Sequence, residues 1–142
     1  MQVAELITQE EVRNVYPKVA QTIAAALGCD VEQLRLDVRL IEGLDAESID
    51  FLDIVFRLER GFKIKIPRGK IIEDARGELS EADFERKGTL TDAGLKRLRE
   101  YLSEVPADRF HTPMKVGEIP LLFTVETFCK VVVRAQRAMP AA

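Results

Sequence analysis

Residues Gly43 to Phe62 read GLDAESIDFLDIVFRLERGF, and this stretch decides the fold. It combines a tight loop, a helix start and one short helix. On a helical wheel of about 3.6 residues per turn, the polar residues form one narrow stripe and apolar residues fill most of the remaining circumference. The stripe consists of Asp50, Asp53, Arg57 and Arg60. A helix with so much apolar surface is buried or covers an apolar surface in a partner.

Ser48 falls in the first turn of this helix, where backbone N–H groups are unpaired and the helix dipole is positive. A serine hydroxyl there can cap the helix, or it can carry a phosphate ester, because a helix N-terminus favours an anion. No His, Lys or Cys lies close in sequence to act as its base, which argues against a hydrolase. Gly61 is the predicted C-cap.

The segments around Ser48 resemble the acyl carrier protein family. Residues 45–50, DAESID, resemble the family's Asp-Ser-Leu attachment motif, and residues 39–44, RLIEGL, resemble the run that leads into it. Downstream, Leu58-Glu59 and residues 62–67, FKIKIP, resemble the family's leucine-glutamate pair and its phenylalanine-to-isoleucine-proline run. The resemblance covers residues 10–67 and resumes over 116–135. The ordered matches on both sides of the serine make it specific.

The resemblance implies a function for Ser48. The family's serine receives 4′-phosphopantetheine from coenzyme A through a phosphodiester, and the thiol of that arm carries an acyl group as a thioester. The implied role is a carrier, not an enzyme, in a specialised fatty-acid, lipid or polyketide pathway. The alternatives are a peptidyl or aminoacyl carrier, or a helical interaction module in which Ser48 only caps.

The resemblance also implies partners. They are a phosphopantetheinyl transferase and acyl-loading and acyl-processing enzymes, such as a ketosynthase or an acyltransferase. The residues assigned to partner recognition are Glu47, Ile49, Asp50, Leu52, Asp53 and Phe56.

The expected architecture is all-α, an acyl-carrier-protein-like four-helix bundle. Thr8 has capping-box spacing and opens the first helix, which Pro17 is expected to kink or split and Gly28 to stop. A short third helix is expected over 116–122, and Thr124 caps the last helix. The alternation over 62–66 predicts an extended segment, and a small β-hairpin over 62–72 is an open alternative.

The main departure from the family is an insertion at about residues 69–112 within a single carrier domain, 1–142. Ser80 is predicted to cap a helical turn around Phe84, residues 87–89 form a turn, and Thr91 or Asp92 caps a second helix. That helix, ended by Pro106, carries an apolar stripe of Leu95, Leu98, Leu102 and Val105. A helix this short must dock on something. The insertion either extends an apolar wall for the acyl chain or forms a partner-docking surface.

Composition fits one globular domain with a buried core. The chain has 142 residues, 46% of them hydrophobic, and a net charge of -3, which gives no support for nucleic-acid binding. Cys29 and Cys129 form no metal or redox motif, and Cys129 is predicted to be a buried thiol. His111, the only histidine, has no ligand cluster beside it, so no metal is expected. Without a long apolar run or a secretory signal, we expect no membrane span and a cytoplasmic monomer.

The charge pattern departs from the family where partners dock. Glu47 replaces the usual aspartate before the serine, and Asp45 replaces a glycine. Arg60, Lys63 and Arg68 occupy positions that are commonly acidic in the family. Because like charges at an interface disfavour wrong partners, we hypothesise a dedicated partner set and poor use by general fatty-acid enzymes.

Overall fold

The computed structural model describes residues 7–44, 46–66 and 69–138, without the side chains of Glu42 and Ser48. Its α-helices are α1 (Gln9–Leu27), α2 (Leu40–Leu44), α3 (Ser48–Phe62), α4 (Lys70–Arg76), α5 (Glu81–Phe84), α6 (Asp92–Tyr101) and α7 (Val125–Ala138). Strands β1 (Glu85–Arg86) and β2 (Thr89–Leu90) pair antiparallel. The 3-10 helices are Val31–Gln33, Ala107–Arg109 and Val116–Leu122. The predicted helical fold and the short helix over 116–122 are confirmed.

Helix α1 is the central support of the bundle, because it packs against both α3 and α7. It begins as predicted, with the Glu11 N–H donating to Thr8 Oγ1 over 3.1 Å and the Thr8 N–H donating to Glu11 Oε1 over 3.0 Å. It ends at Gly28, whose φ is 70°. Pro17 lies inside one continuous helix, so the expected split does not occur.

An aromatic cluster joins α3 to α7 in the core. The Phe51 ring of α3 stacks on the Phe123 ring at a centroid distance of 5.7 Å. The Phe128 ring of α7 meets both edge-on, at 5.5 Å and 5.7 Å. Ile54 and Leu58 add the inward face of α3, each with no exposed surface. Apolar burial and favourable ring geometry therefore hold α3 in place.

The inserted segment is helical. Its helices pack mainly against one another, and the segment also packs against the bundle. Helices α4 and α5 contact α6. Ser80 and Thr91 cap α5 and α6 as predicted, since their hydroxyls accept from the N–H groups of Asp83 (3.1 Å) and Gly94 (2.9 Å). Gly94 lies against Phe84, and a Cβ there would overlap the Phe84 carbonyl oxygen. The absence of a side chain lets α5 approach α6.

The insertion is joined to α7 by a buried polar cluster. The Lys130 ammonium lies 3.1 Å from Glu104 Oε1, with side-chain exposures of 9% and 1%. Thr127 Oγ1 donates to Glu104 Oε2 over 2.6 Å. The Arg134 guanidinium lies over the Tyr101 ring, 4.1 Å from its centroid. The outer surface of α7 is therefore covered by the protein's own chain.

Two details of the segment after α3 differ from the predictions. The hairpin over 62–72 does not form in the described residues, because Ile71 and Ile72 lie in α4; Pro67 and Arg68 lie outside the described residues. The C-cap of α3 is Lys63, with φ 57°, rather than Gly61. Gly61 lies inside the helix, where a Cβ would contact Lys18 Cε at 3.4 Å. That distance is an ordinary van der Waals contact, and the Gly61 carbonyl accepts a hydrogen bond from Lys18 Nζ of α1.

Candidate functional site

Ser48 is the first residue of α3, and Glu47 is its N-cap in an extended conformation, with φ -107° and ψ 163°. The Glu47 N–H donates to Asp50 Oδ2 over 2.8 Å, which fixes the first turn. The predicted helix start is thus confirmed, while the Ser48 side chain and all of Asp45 lie outside the described residues. The backbone places Ser48 where free N–H groups and the helix dipole favour an attached anion.

The loop before Ser48 is anchored to the body of the protein. Ala46 is 4% exposed, and its N–H donates to the Leu40 carbonyl over 2.9 Å. The Leu40 N–H in turn donates to the Phe123 carbonyl over 3.2 Å, and the Val125 N–H donates to the Val38 carbonyl over 3.1 Å. The start of α3 is therefore tied, through its preceding loop, to the start of α7.

The outward face of α3 is apolar and uncovered. Ile49, Leu52 and Phe56 are 70%, 45% and 60% exposed. Their spacing of three and four residues places them on one side of the helix. Glu47 is also exposed, and Asp50 and Asp53 are half-buried. All six predicted recognition residues thus retain accessible surface, from Glu47 just before Ser48 to Phe56 two turns after it.

A groove of about 370 Å³ opens beside this face. Its lining comes from α3 (Phe51, Leu52, Val55, Phe56), the inserted helix α4 (Ile71, Ile72) and the short 3-10 helix and its end (Ile119, Pro120, Phe123). Leu52 follows Ser48 by one helical turn on the same side. Sequence reasoning missed the contribution of α4, although two consecutive isoleucines in a charged segment were a signal of a buried contact.

The other residues considered for chemistry have structural roles. Burial raises the pKa of the Cys129 thiol to about 12, as expected for an inert core thiol. His111 Nε2 lies 3.2 Å from Glu118, and Nδ1 lies 2.8 Å from the Pro113 carbonyl. Across residues 7–44, 46–66 and 69–138, the acidic, His and Cys side chains do not group as metal ligands. No described helix combines the length and apolar run that crossing a membrane requires.

Comparisons with known proteins agree with this geometry. Residues 17–76 match the family described as "Phosphopantetheine attachment site". The chain is 34% identical over 72 residues to the acyl carrier protein AcpXL of Mesorhizobium japonicum, covering 50% of this chain and 77% of that protein. It is 41% identical over 74 residues to AcpXL of Rhizobium meliloti, covering 51% and 78%. No solved structure matches significantly. The family match ends at the last residue of α4, so α5, β1, β2 and α6 lie beyond it.

Proposed function

Because the chain belongs to the acyl carrier protein family, a family of carriers with a covalent 4′-phosphopantetheine, we propose that Ser48 holds its arm through a phosphodiester. The observation that carries this is the position of Ser48 as the first helical residue of α3, within the matched residues 17–76. The unpaired N–H groups and dipole of α3 suit the negative phosphodiester. When attached, the arm supplies a thiol that holds acyl groups as thioesters.

The protein's own residues orient the arm rather than activate it. The Asp50 carboxylate accepts a hydrogen bond from the Glu47 N–H, and the hydrogen bond from the Ala46 N–H to the Leu40 carbonyl anchors the loop that leads to the serine. The hydroxyl is activated by the transferase, since the protein is a carrier and not an enzyme. Its partners as a family member are a phosphopantetheinyl transferase and acyl-processing enzymes.

Attachment is tested by incubating the purified chain with coenzyme A and a phosphopantetheinyl transferase, followed by intact-protein mass spectrometry. We expect one added phosphopantetheinyl group on the wild type and none on Ser48→Ala. The matched control is Ser80→Ala, which removes an exposed serine that caps α5 and is expected to load normally. A wild type that stays unmodified, or a Ser48→Ala variant that still loads, would overturn the assignment.

Recognition is proposed to use Glu47, Ile49, Asp50, Leu52, Asp53 and Phe56. The support is the exposure of three large apolar side chains on one face, since such patches on otherwise polar surfaces mark interaction sites. Ketosynthases and acyltransferases are the proposed acyl-processing partners, and the proposed pathway is a specialised fatty-acid, lipid or polyketide one. We propose a monomer in the cytoplasm, in keeping with two free cysteines. Sedimentation equilibrium tests the monomer.

The chain is proposed to act as one carrier domain, 1–142, whose insertion at about 69–112 enlarges the acyl-chain groove. The support is that Ile71 and Ile72 line the same groove as Leu52 and Phe56. Acyl-loaded and unloaded forms are compared by amide chemical shifts. Shifts at Ile71 and Ile72 support chain binding. Shifts that appear there only when a partner enzyme is added would indicate a docking surface instead.

A further inference from the structure

Three basic residues form an exposed group at the C-terminal end of α3. Arg60, Lys63 and Lys65, hereafter the basic patch, are all exposed. In the described part of the chain, none of the three lies in an ion pair. By contrast, Arg57 one turn earlier pairs with Asp53 over 3.0 Å. Among the residues that the structure describes, the charges of the basic patch are therefore not neutralised by a salt bridge.

The backbone holds the basic patch in a defined position. The Lys63 N–H donates to the Glu59 carbonyl, and the Ile66 N–H donates to Glu59 Oε2 over 2.6 Å. Ile64 and Ile66 are buried, so the alternating Lys63 and Lys65 face solvent. Lys63 has φ 57°, a conformation that glycine adopts more readily than lysine. A positively charged residue stands where an uncharged glycine would suit the backbone better, which points to a use for the charge.

The basic patch borders a shallow depression of about 670 Å³ beside α3. Phe56, 60% exposed, and Ile64 form its apolar part, and Arg60, Lys63 and Lys65 form its basic part. The carboxylates of Asp53 and Glu59 also line it, but Asp53 pairs with Arg57 and Glu59 accepts from the Ile66 N–H. An apolar side chain bordered by exposed charged residues, three of them basic, is the arrangement of a protein interface with a polar rim.

The two ends of α3 carry opposite charge. Glu47 and Asp50 lie at the start, the Asp53–Arg57 pair neutralises the middle, and the basic patch lies at the end. Glu47 and Lys63 are separated by about 24 Å along the axis, at ~1.5 Å per residue. A partner with a uniformly basic docking face would meet attraction at one end and repulsion at the other.

We propose that the basic patch docks on a carboxylate-rich surface of an acyl-processing enzyme, which meets the acidic start of α3 with basic groups about 24 Å away. The inference rests on the proposed carrier function of Ser48. An apolar side chain of that enzyme contacts Phe56 in the depression. Attraction at both ends selects this partner, and repulsion at the basic patch excludes enzymes built for uniformly acidic carriers.

The test uses the full chain, loaded with an acyl-phosphopantetheinyl arm, and a ketosynthase from general fatty-acid synthesis whose docking face is basic. The patch variant is Arg60→Glu/Lys63→Glu/Lys65→Glu. The matched control, Arg86→Glu/Lys96→Glu/Arg99→Glu, makes the same charge change at positions on β1 and α6, away from α3. We expect the patch variant to raise kcat/KM by about tenfold and the control to leave it unchanged. Added salt should raise the wild-type rate and lower that of the patch variant.

A second probe leaves the carrier unaltered. In this probe, three basic residues of the ketosynthase docking face, at the end farther from its active-site entrance, are replaced by glutamate. Wild-type carrier should use the altered enzyme better than the original, and the patch variant should show the reverse order. Equal use of both enzymes by the wild type, or an equal gain from the control variant, would refute the proposal.

Two further measurements are made. The first tests whether the chain is a carrier at all, and the second tests whether the basic patch binds a membrane surface rather than a protein. Loading of wild-type Ser48 is measured first. A chain that does not load would refute both the carrier function and this inference. A chain that loads normally but lacks the expected charge preferences would refute this inference alone. Vesicles of phosphatidylglycerol and phosphatidylcholine are the lipid probe. Binding of the wild type to the anionic vesicles, lost in the patch variant but not in the control, would assign the basic patch to a membrane surface and overturn a protein partner.

Discussion

Helices α3 and α7 are of similar length, 15 and 14 residues, and both pack on α1, yet their outer faces differ in solvent exposure. On α7 even Lys130 is buried, because the insertion covers it and supplies Glu104. On α3 the large apolar residues Ile49 and Phe56 remain exposed. The outer face of α7 is thus covered by the protein's own chain, whereas that of α3 is left exposed, as the proposed recognition role requires. Apolar composition alone does not distinguish the two situations.

The largest test of this difference compares two phenylalanines. Phe128 of α7 is fully buried and touches Phe51 and Phe123, whereas Phe56 of α3 is 60% exposed. We expect Phe128→Ala to lower the free energy of unfolding by about 3–5 kcal/mol, from lost burial and a cavity. Phe56→Ala should change it by less than about 0.5 kcal/mol and instead weaken use by acyl-processing enzymes. Urea unfolding measures the first, and steady-state kinetics the second.

The next test compares two ion pairs. Lys130→Met leaves the Glu104 carboxylate, 1% exposed, without its cation, so we expect a loss of about 3 kcal/mol. Arg57→Met breaks the accessible pair with Asp53, and we expect a loss below about 1 kcal/mol. Both are measured by urea unfolding at neutral pH. A similar loss of unfolding free energy in the two variants would contradict the difference in exposure between α7 and α3.

Removing a helix cap is expected to lower the free energy of unfolding by a smaller amount. The Thr124 hydroxyl at the start of α7 is buried and accepts from the Thr127 N–H over 3.2 Å. Thr124→Ala should cost about 1–2 kcal/mol. Asp50→Ala removes the carboxylate that accepts from the exposed Glu47 N–H of α3, and should cost about 0.5–1 kcal/mol. Thermal unfolding of both variants gives the order, and a larger effect at Asp50 would contradict it.

The smallest expected effect is a pH dependence. Hydrogen bonds from the Thr8 N–H and from Arg137 of α7 lower the pKa of Glu11 from its ordinary value. A lowered folded-state pKa means that the stabilisation is present above the unfolded-state pKa and lost as pH falls through the folded-state value. The melting temperature of Glu11→Gln should therefore fall less than that of wild type between neutral pH and about pH 3. Parallel pH curves for the two proteins would refute it.

Local signals in the sequence predicted where most of the α-helices begin. The capping residues Thr8, Ser80 and Thr91 and the first residue of α3 are where their spacing indicates, because a cap depends on residues only three positions apart. The predicted C-cap at Gly61 was wrong: α3 continues to Phe62, and the Gly61 carbonyl accepts a hydrogen bond from Lys18, 43 positions away along the chain. Local pattern carries no information about such a contact.

The candidate site was only partly predictable for the same reason. The polar stripe and apolar face of α3 follow from its period, but which apolar residues are exposed depends on where α1 and α7 pack. Ile71 and Ile72 were considered as hairpin residues, and their helical placement in the groove wall follows from packing of α4 against α6. The extended segment predicted over 62–66 begins later than expected, because Phe62 is the last residue of α3 and Lys63 is its left-handed C-cap.

The state of the two cysteines determines where an acyl group can travel. Transfer of a thioester to another thiol requires a thiolate, and a pKa of about 12 leaves roughly one Cys129 thiol in 10⁵ ionised at pH 7. Burial also raises the pKa of Cys29. An acyl group on the arm is therefore protected from transfer to Cys129, which is both buried and almost wholly protonated.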